Sequence, residues 1–195
     1  MPDSKRQEHK NQTRKQLIKV AFNQFAKEGL TATRTLDIAN AAGLSHGTVF
    51  AHFPTRDDLL VAVIEEFGSR VAVRIHELAS GGGSVREVLQ AHINGLIEVE
   101  SFYTRLVKEG PLLPPSAQNS LVVIQSAISI HLYQAAEREM AAGKIRNIPL
   151  HLLFNTWVGL LHYYLANDNL FATGESVLKR YGPELLEHYL NLLNF

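Results

Sequence analysis

The 195-residue chain is 46% hydrophobic and 19% charged, with no cysteine, which suits a globular protein and excludes disulfides, a thiol switch and a cysteine zinc site. No run approaches the ~18 apolar residues of a membrane span. The polar start MPDSKRQEHKNQTRKQ lacks the apolar stretch of a secretion signal, so the expected location is cytoplasmic, with no membrane partner. The net charge of zero averages two unlike parts: up to Arg56, nine Lys and Arg face four acids, a net +5, and the remainder is −5. A basic first third suits a nucleic-acid-binding module, and a solvated basic tail gives the same signature.

Residues 1–12 read as a flexible basic arm. Thr13 and Gln16 have the spacing of a capping box, opening a helix with Leu17, Ile18, Ala21, Phe22 and Phe25 on one face and Gly29 as its stop. Ile38, Ala39 and Ala42 give a short second helix its apolar face, and Gly43 supplies a turn. Ser45 has the hydroxyl an N-cap needs. The third helix, Ser45 to Phe53, sets Val49 and Phe53 at i, i+4 and leaves Ser45, His46, Thr48 and His52 to point elsewhere. A short helix with one apolar stripe and small polar groups opposite suits the second helix of a helix-turn-helix, which enters the DNA major groove.

These residues carry a resemblance. Ala42-Gly-Leu-Ser-His-Gly-Thr-Val-Phe-Ala-His-Phe-Pro-Thr-Arg56, preceded by Asp37-Ile38-Ala39, resembles the N-terminal domain of the tetracycline-repressor (TetR) family of bacterial transcription regulators, over residues 13 to 63. The resemblance implies double-stranded operator DNA as partner. Exposed N–H groups at Gly47 and the Thr48 hydroxyl suit a phosphate, as does His52, and the resemblance implies further phosphate contacts at Arg56 and Thr35. Ser45 and His46 lie at the tip, within reach of base edges. Two residues depart from the family pattern: His46 stands where lysine is common, and Phe50 where tyrosine often binds a phosphate.

Thr55 caps a long fourth helix, with Asp57 and Asp58 favourable in its first turn and an apolar face from Leu59 towards Leu78. Ser80-Gly-Gly-Gly-Ser84 reads as a break, and Ser84 with Glu87 as a capping box for a fifth helix that bends near Ser101. Gly110 to Pro115 is a loop; a helix over 116–142 stops at Gly143, another opens at Asn147-Ile-Pro149, and the last starts at Gly182-Pro183. The expected fold is all-α with about nine helices: a helix-turn-helix domain over 1–56 and a helical effector-binding and dimerisation domain over 57–195.

The helix after Pro149 is apolar around most of its circumference. It is either a fully buried central helix or half of a four-helix dimer interface. The second arrangement is also what the resemblance implies, with Trp157, Gly159, Leu160, Leu161, Tyr164, Leu186, Tyr189 and Leu190 at the interface. Glu98, Glu100, Phe102, Tyr103, His131 and Trp157 are candidates to line a pocket for an unknown small-molecule effector, and equally candidates for core. No spacing among the nine histidines gives a metal site, no cofactor motif occurs, and no catalytic constellation is present. The reading is a homodimeric regulator, a repressor released by a small molecule. A DNA-binding regulator or architectural protein controlled by another protein, without a small ligand, is the alternative.

Overall fold

The computed structural model describes residues 2–79 and 82–194 and, within them, all side chains except those of 2–4, 75 and 77–79. Ser80 and Gly81 of the glycine-rich break, and the side chain of Leu78, fall outside them. The described residues are all-helical, in ten helices and one 3-10 turn: α1 (Pro2–Glu28), α2 (Thr35–Ala42), α3 (His46–His52), α4 (Arg56–Ala79), α5 (Val85–Glu98), α6 (Glu100–Glu109), α7 (Pro115–Ala141), α8 (Leu150–Ala166), α9 (Asp168–Phe171) and α10 (Val177–Leu193).

The first difference from the sequence reading is at the N-terminus. No helix starts at Thr13: α1 runs back to Pro2, through the stretch read as a flexible arm. The Thr13 hydroxyl donates to the His9 carbonyl at 3.0 Å, inside the helix. The spacing of a capping box also occurs in mid-helix, where the hydroxyl turns back onto the preceding turn.

The caps further on form as read. Ser45 accepts from the Thr48 N–H at 3.1 Å, Ser84 and Glu87 exchange their bonds, and Thr55 and Asp58 do the same at the start of α4. The bend falls at Val99, between α5 and α6, rather than at Ser101. α10 starts at Val177, capped by Ser176, so Pro183 lies inside it rather than at its head.

Leu17, Ala21 and Phe25 of α1 share a core with Ile38 and Ala39 of α2, Val49 of α3, and Leu59 and Leu60 of α4. α4 continues into the larger bundle, packing on α5 and α7, while α5 packs also on α10 and α6 on α1 and α8. Phe102 of α6 is fully buried where these parts meet, stacked on Phe22 of α1 at 4.4 Å and beside Phe67 of α4 at 5.7 Å. Two glycines make close crossings possible: a Cβ on Gly68 of α4 would lie 2.5 Å from Ile124 of α7, and one on Gly182 of α10 would lie 3.1 Å from Ile93 of α5. Gly159, read as a point of close helix approach, has nothing within 4 Å of a Cβ and is exposed.

Candidate nucleic-acid interface

The turn before α3 is a glycine turn because its geometry demands one. Gly43 has φ 66°, a left-handed conformation that costs other L-residues more, and its N–H and that of Leu44 close the end of α2 on the carbonyls of Asn40 and Ala39. Gln16 of α1 adds a bond to the Ala42 carbonyl at 3.0 Å. Val49 and Phe53 then bury one side of α3, and Ile38 and Ala39 one side of α2, so the orientation of α3 follows from the core.

The other side of α3 is open. Ser45, His46, Gly47 and Phe50 are exposed, and Thr48 is half-buried. His46 Nε2 lies 2.9 Å from the Thr35 hydroxyl, and its ring meets the edge of Phe50 at 4.8 Å between centroids. Thr35, His46 and Phe50 therefore form one contiguous surface across α2 and α3. The Ser45 and Thr48 hydroxyls are 2.8 Å apart and already occupied with the cap.

Two residues sit differently from the sequence reading. Arg56 points inward: Nε donates to the Thr33 carbonyl at 3.2 Å, another guanidinium nitrogen donates to the Leu30 carbonyl, and the group lies 5.8 Å from the Phe25 ring. It ties the turn before α2 to the start of α4. His52 is half-buried, its Nδ1 lacks a partner, and burial together with the charges of Lys10 and Arg14 lowers its pKa.

That neighbourhood is what the sequence reading missed. Because α1 extends to Pro2, Lys10 and Arg14 stand one turn apart and beside the end of α3, with the Arg14 guanidinium 4.9 Å over Phe53. Their i, i+4 spacing was visible in the sequence; placing them needed the true start of α1.

This is a helix-turn-helix, and residues 17–63 match the family model for bacterial regulatory proteins of the tetR family. Over those residues the chain carries a DNA-binding domain of the tetR type. It is similar to an uncharacterized HTH-type transcriptional regulator, YuxN, of Bacillus subtilis, 24% identical over 60% of this chain and 43% of that one. It is also similar to the HTH-type transcriptional repressor KstR2 of Rhodococcus jostii, 30% identical over 42% of this chain and 40% of that one. The chain thus spans about two fifths of the length of these curated relatives. The fold matches along nearly the whole chain. The transcriptional regulator FadR from Bacillus subtilis, in complex with stearoyl-CoA, aligns with a TM-score of 0.72 over 89% of this chain and 96% of that one, at 17% identity.

Behind the tetR-type helix-turn-helix, the candidate effector residues divide: Glu98, Glu100 and Phe102 line one open pocket of about 800 Å³ beside α9 and the start of α10, and the other three lie elsewhere. Glu98 pairs with Arg74 at 2.7 Å on the surface. The Glu100 carboxylate caps α10, accepting from the Val177 N–H at 2.7 Å, the Leu178 N–H at 3.3 Å and the Ser176 hydroxyl. Phe102 is core. His131 lines a separate pocket with His76 and Arg138. Trp157 is fully buried and donates to His92 Nδ1 at 3.0 Å, which also removes it from the exposed surface of α8. Only Tyr103 lines the cavity at the centre of the bundle, its hydroxyl 2.7 Å from His162 Nε2.

The interface candidates divide too. Leu161, Leu186, Tyr189 and Leu190 are buried within the protomer, because α8 and α10 give much of their apolar surface to α5, α6 and α7. Tyr164 is half-buried in a stack with Phe171. Gly159 and Leu160 remain on the outer side, joined there by Leu152, Tyr163 and Leu192, each about half exposed.

At its other end α6 holds the helix-turn-helix. The Glu109 carboxylate accepts from the Thr31 N–H at 2.8 Å and the Thr31 hydroxyl at 2.7 Å, and Arg105 donates to the Lys27 carbonyl at 2.9 Å. Burial opposes ionisation of Glu109, but the bonds from Thr31 and the Leu30 backbone, and the charge of Arg105, bring its pKa below the usual value.

Proposed function

We propose that the chain is a homodimeric transcriptional repressor that binds a palindromic operator through α3 and releases it when a small molecule enters the α4–α10 body. The exposed Ser45, His46, Gly47 and Phe50, beside half-buried Thr35 of α2, on a helix fixed from behind by Val49 and Phe53, carry this reading. A helix so anchored fits the major groove with its N-terminal residues at base edges. Lys10, Arg14 and His52 flank it as phosphate contacts, supplying binding that does not depend on sequence. Phosphate contact by Arg56 has no support, since that side chain holds carbonyls of its own chain.

The dimer reading rests on α8 and α10. A groove of about 360 Å³ runs between them, lined mainly by apolar groups including Leu152, Leu160 and Leu192. Two α3 helices held at a fixed spacing read two half-sites, centred one DNA turn of ~34–36 Å or a multiple apart. A DNA-bound repressor of this kind works in the cytoplasm. Among the described residues, no helix is long and apolar enough to cross a membrane.

Selection of duplexes from a random pool tests the reading. The expected products are two-fold symmetric, and their affinity falls steeply with salt. Enrichment of no symmetric sequence would count against it. Gly159→Leu tests the interface, because a side chain there meets nothing within 4 Å of its Cβ in the protomer. The expected variant keeps its helical content, loses dimer mass in light scattering and loses affinity for the selected duplex. A variant that remains a full-affinity dimer removes Gly159 from the interface.

A further inference from the structure

The residues of α3, His46-Gly-Thr-Val-Phe-Ala-His52, include no Arg, Lys, Asn, Gln, Asp or Glu. Those are the side chains that tell bases apart by hydrogen bonds in the major groove, Arg, Asn and Gln by bidentate ones. The polar groups that α3 does have are partly engaged already. His46 Nε2 is taken up by the Thr35 hydroxyl at 2.9 Å, which leaves Nδ1 for a single bond. The Ser45 and Thr48 hydroxyls, 2.8 Å apart, bond to each other, and Ser45 also accepts from the Thr48 N–H. One of their two protons is therefore in use.

The centre of the outer face of α3 is apolar instead. Helical spacing sets His46, Phe50, Gly47 and Ala51, all exposed, side by side on one face, with Phe50 and Gly47 in the middle. The Phe50 ring is steadied by its edge contact with His46, itself held by Thr35. Nothing within the protomer demands a glycine at position 47. Its φ is not positive, and a Cβ there would meet only the Ser45 hydroxyl oxygen, at 3.8 Å. A glycine inside a helix loses more chain freedom on folding than an alanine. Bare backbone in the middle of an exposed face, with no internal reason for it, fits a partner that approaches α3 closer than a Cβ would allow.

We propose that α3 reads its half-site chiefly through the 5-methyl groups of thymine, seated on Phe50, Ala51 and the bare Gly47 backbone, while His46 adds one hydrogen bond. The proposal rests on the operator-binding reading and adds to it the base that is recognised. Among the four bases only thymine shows a methyl group in the major groove, and apolar side chains distinguish it there. Lys10, Arg14 and His52 face phosphates, which every sequence has, so discrimination falls to the outer face of α3. A methyl against the flank of the Phe50 ring leaves the outer edge of the ring free to lie along the backbone of the duplex.

Deoxyuridine tests this by removing the methyl and nothing else. In the symmetric duplex selected from a random pool, each thymine of one half-site is replaced in turn and the affinity of the full chain measured. Two or more positions are expected to lose about fourfold, the factor for burying one CH₂-sized group at about 0.8 kcal/mol. Cytosine at those positions should weaken binding further, and 5-methylcytosine should recover about fourfold of the loss. In Phe50→Ala the uracil penalty should vanish at one of these positions and persist at another. Gly47→Ala should bind the duplex about tenfold more weakly, the factor for an overpacked contact, with a thermal midpoint no lower than that of the unmodified chain. Both residues are exposed, so helical content by circular dichroism should be unchanged.

Uracil tolerated at every thymine assigns those positions to the shape of the duplex and overturns the proposal, while the operator-binding reading stands. Selected half-sites without thymine do the same. A uracil penalty that Phe50→Ala leaves intact at every position, or Gly47→Ala at full affinity, overturns the assignment to this face. Enrichment of no duplex at all removes the operator-binding reading and the proposal with it.

Discussion

In α2 and α3, the caps and the glycine turn are set mainly by residues close in sequence. Ser45 caps through Thr48, Gly43 closes α2 on carbonyls a few residues back, and Thr55 exchanges bonds with Asp58. In the body behind them the deciding contacts join distant residues. Trp157 reaches His92 across 65 positions, Glu100 caps α10 across 77, and Glu109 holds Thr31 across 78. The helix-turn-helix thus draws its rigidity from local geometry, whereas the body is tied together by a few long-range polar links. α6 touches both regions, with Glu100 clasping α10 and Glu109 the turn before α2.

The largest expected effect comes from removing the packing between the two. Phe102→Ala deletes the ring between Phe22 and Phe67 and should cost about 3–5 kcal/mol in urea denaturation, the usual range for a buried Phe. A loss below about 1 kcal/mol would show that the regions do not share a core at that point.

Acid should act on the body before the helix-turn-helix. The pKa of His92 is lowered from 6.5 to about 4 by burial and by His162. A base whose folded pKa is depressed contributes stability that is complete above its unfolded pKa and is lost as pH falls below it. Its share, about 3 kcal/mol, should therefore disappear between pH 6.5 and 4. His92→Gln should flatten that slope. An unchanged slope in the variant would assign the acid sensitivity elsewhere.

A smaller effect is expected at the link between the regions. Glu109→Gln keeps the shape of the side chain but removes the charge that Thr31 donates to, and should cost about 1–2 kcal/mol. Amide exchange should quicken at residues 29–33 while α8 and α10 are unaffected. A uniform change along the chain would deny the contact a local role.

The mildest change falls on the DNA side. Phe50 is 42% exposed and touches His46. If its ring edge faces the backbone of the duplex, Phe50→Tyr adds one phosphate hydrogen bond, and affinity should rise about fivefold per protomer, about 1 kcal/mol. Unchanged binding would turn that ring away from the phosphates. His52 predicts tighter binding as pH falls. Because burial, Lys10 and Arg14 depress its pKa, the rise belongs below about pH 6.5, and a rise complete above that pH would exclude it.

The same contrast between local and distant contacts explains which features the sequence disclosed. Caps and the glycine turn are short-range, so Gly43, Ser45, Thr55 and Ser84 were legible from spacing alone. The start of α1 was not, because a capping-box pattern at Thr13 looks the same in mid-helix. Nor was the start of α10: Gly182-Pro183 resembles a helix opening, but Ser176 and the distant Glu100 open it a turn and a half earlier. Apolar periodicity identified α8 as wide-faced but not which side meets α5. Trp157 and Leu161 are therefore core, while Leu152 and Tyr163 face outward. The fates of Arg56 and Glu100 depended on carbonyls and amides many residues away, which no spacing rule records.

Photo-cross-linking tests most directly whether the exposed face of α3 meets DNA. Phe50 and Val123 of α7 are both exposed apolar residues, 42% and 68% respectively, one in each region. Benzoylphenylalanine placed at either site in turn, with the selected duplex bound and irradiated, should give protein–DNA adducts from position 50 and none from position 123. Adducts from position 123, or none from position 50 at saturating duplex, would contradict the account.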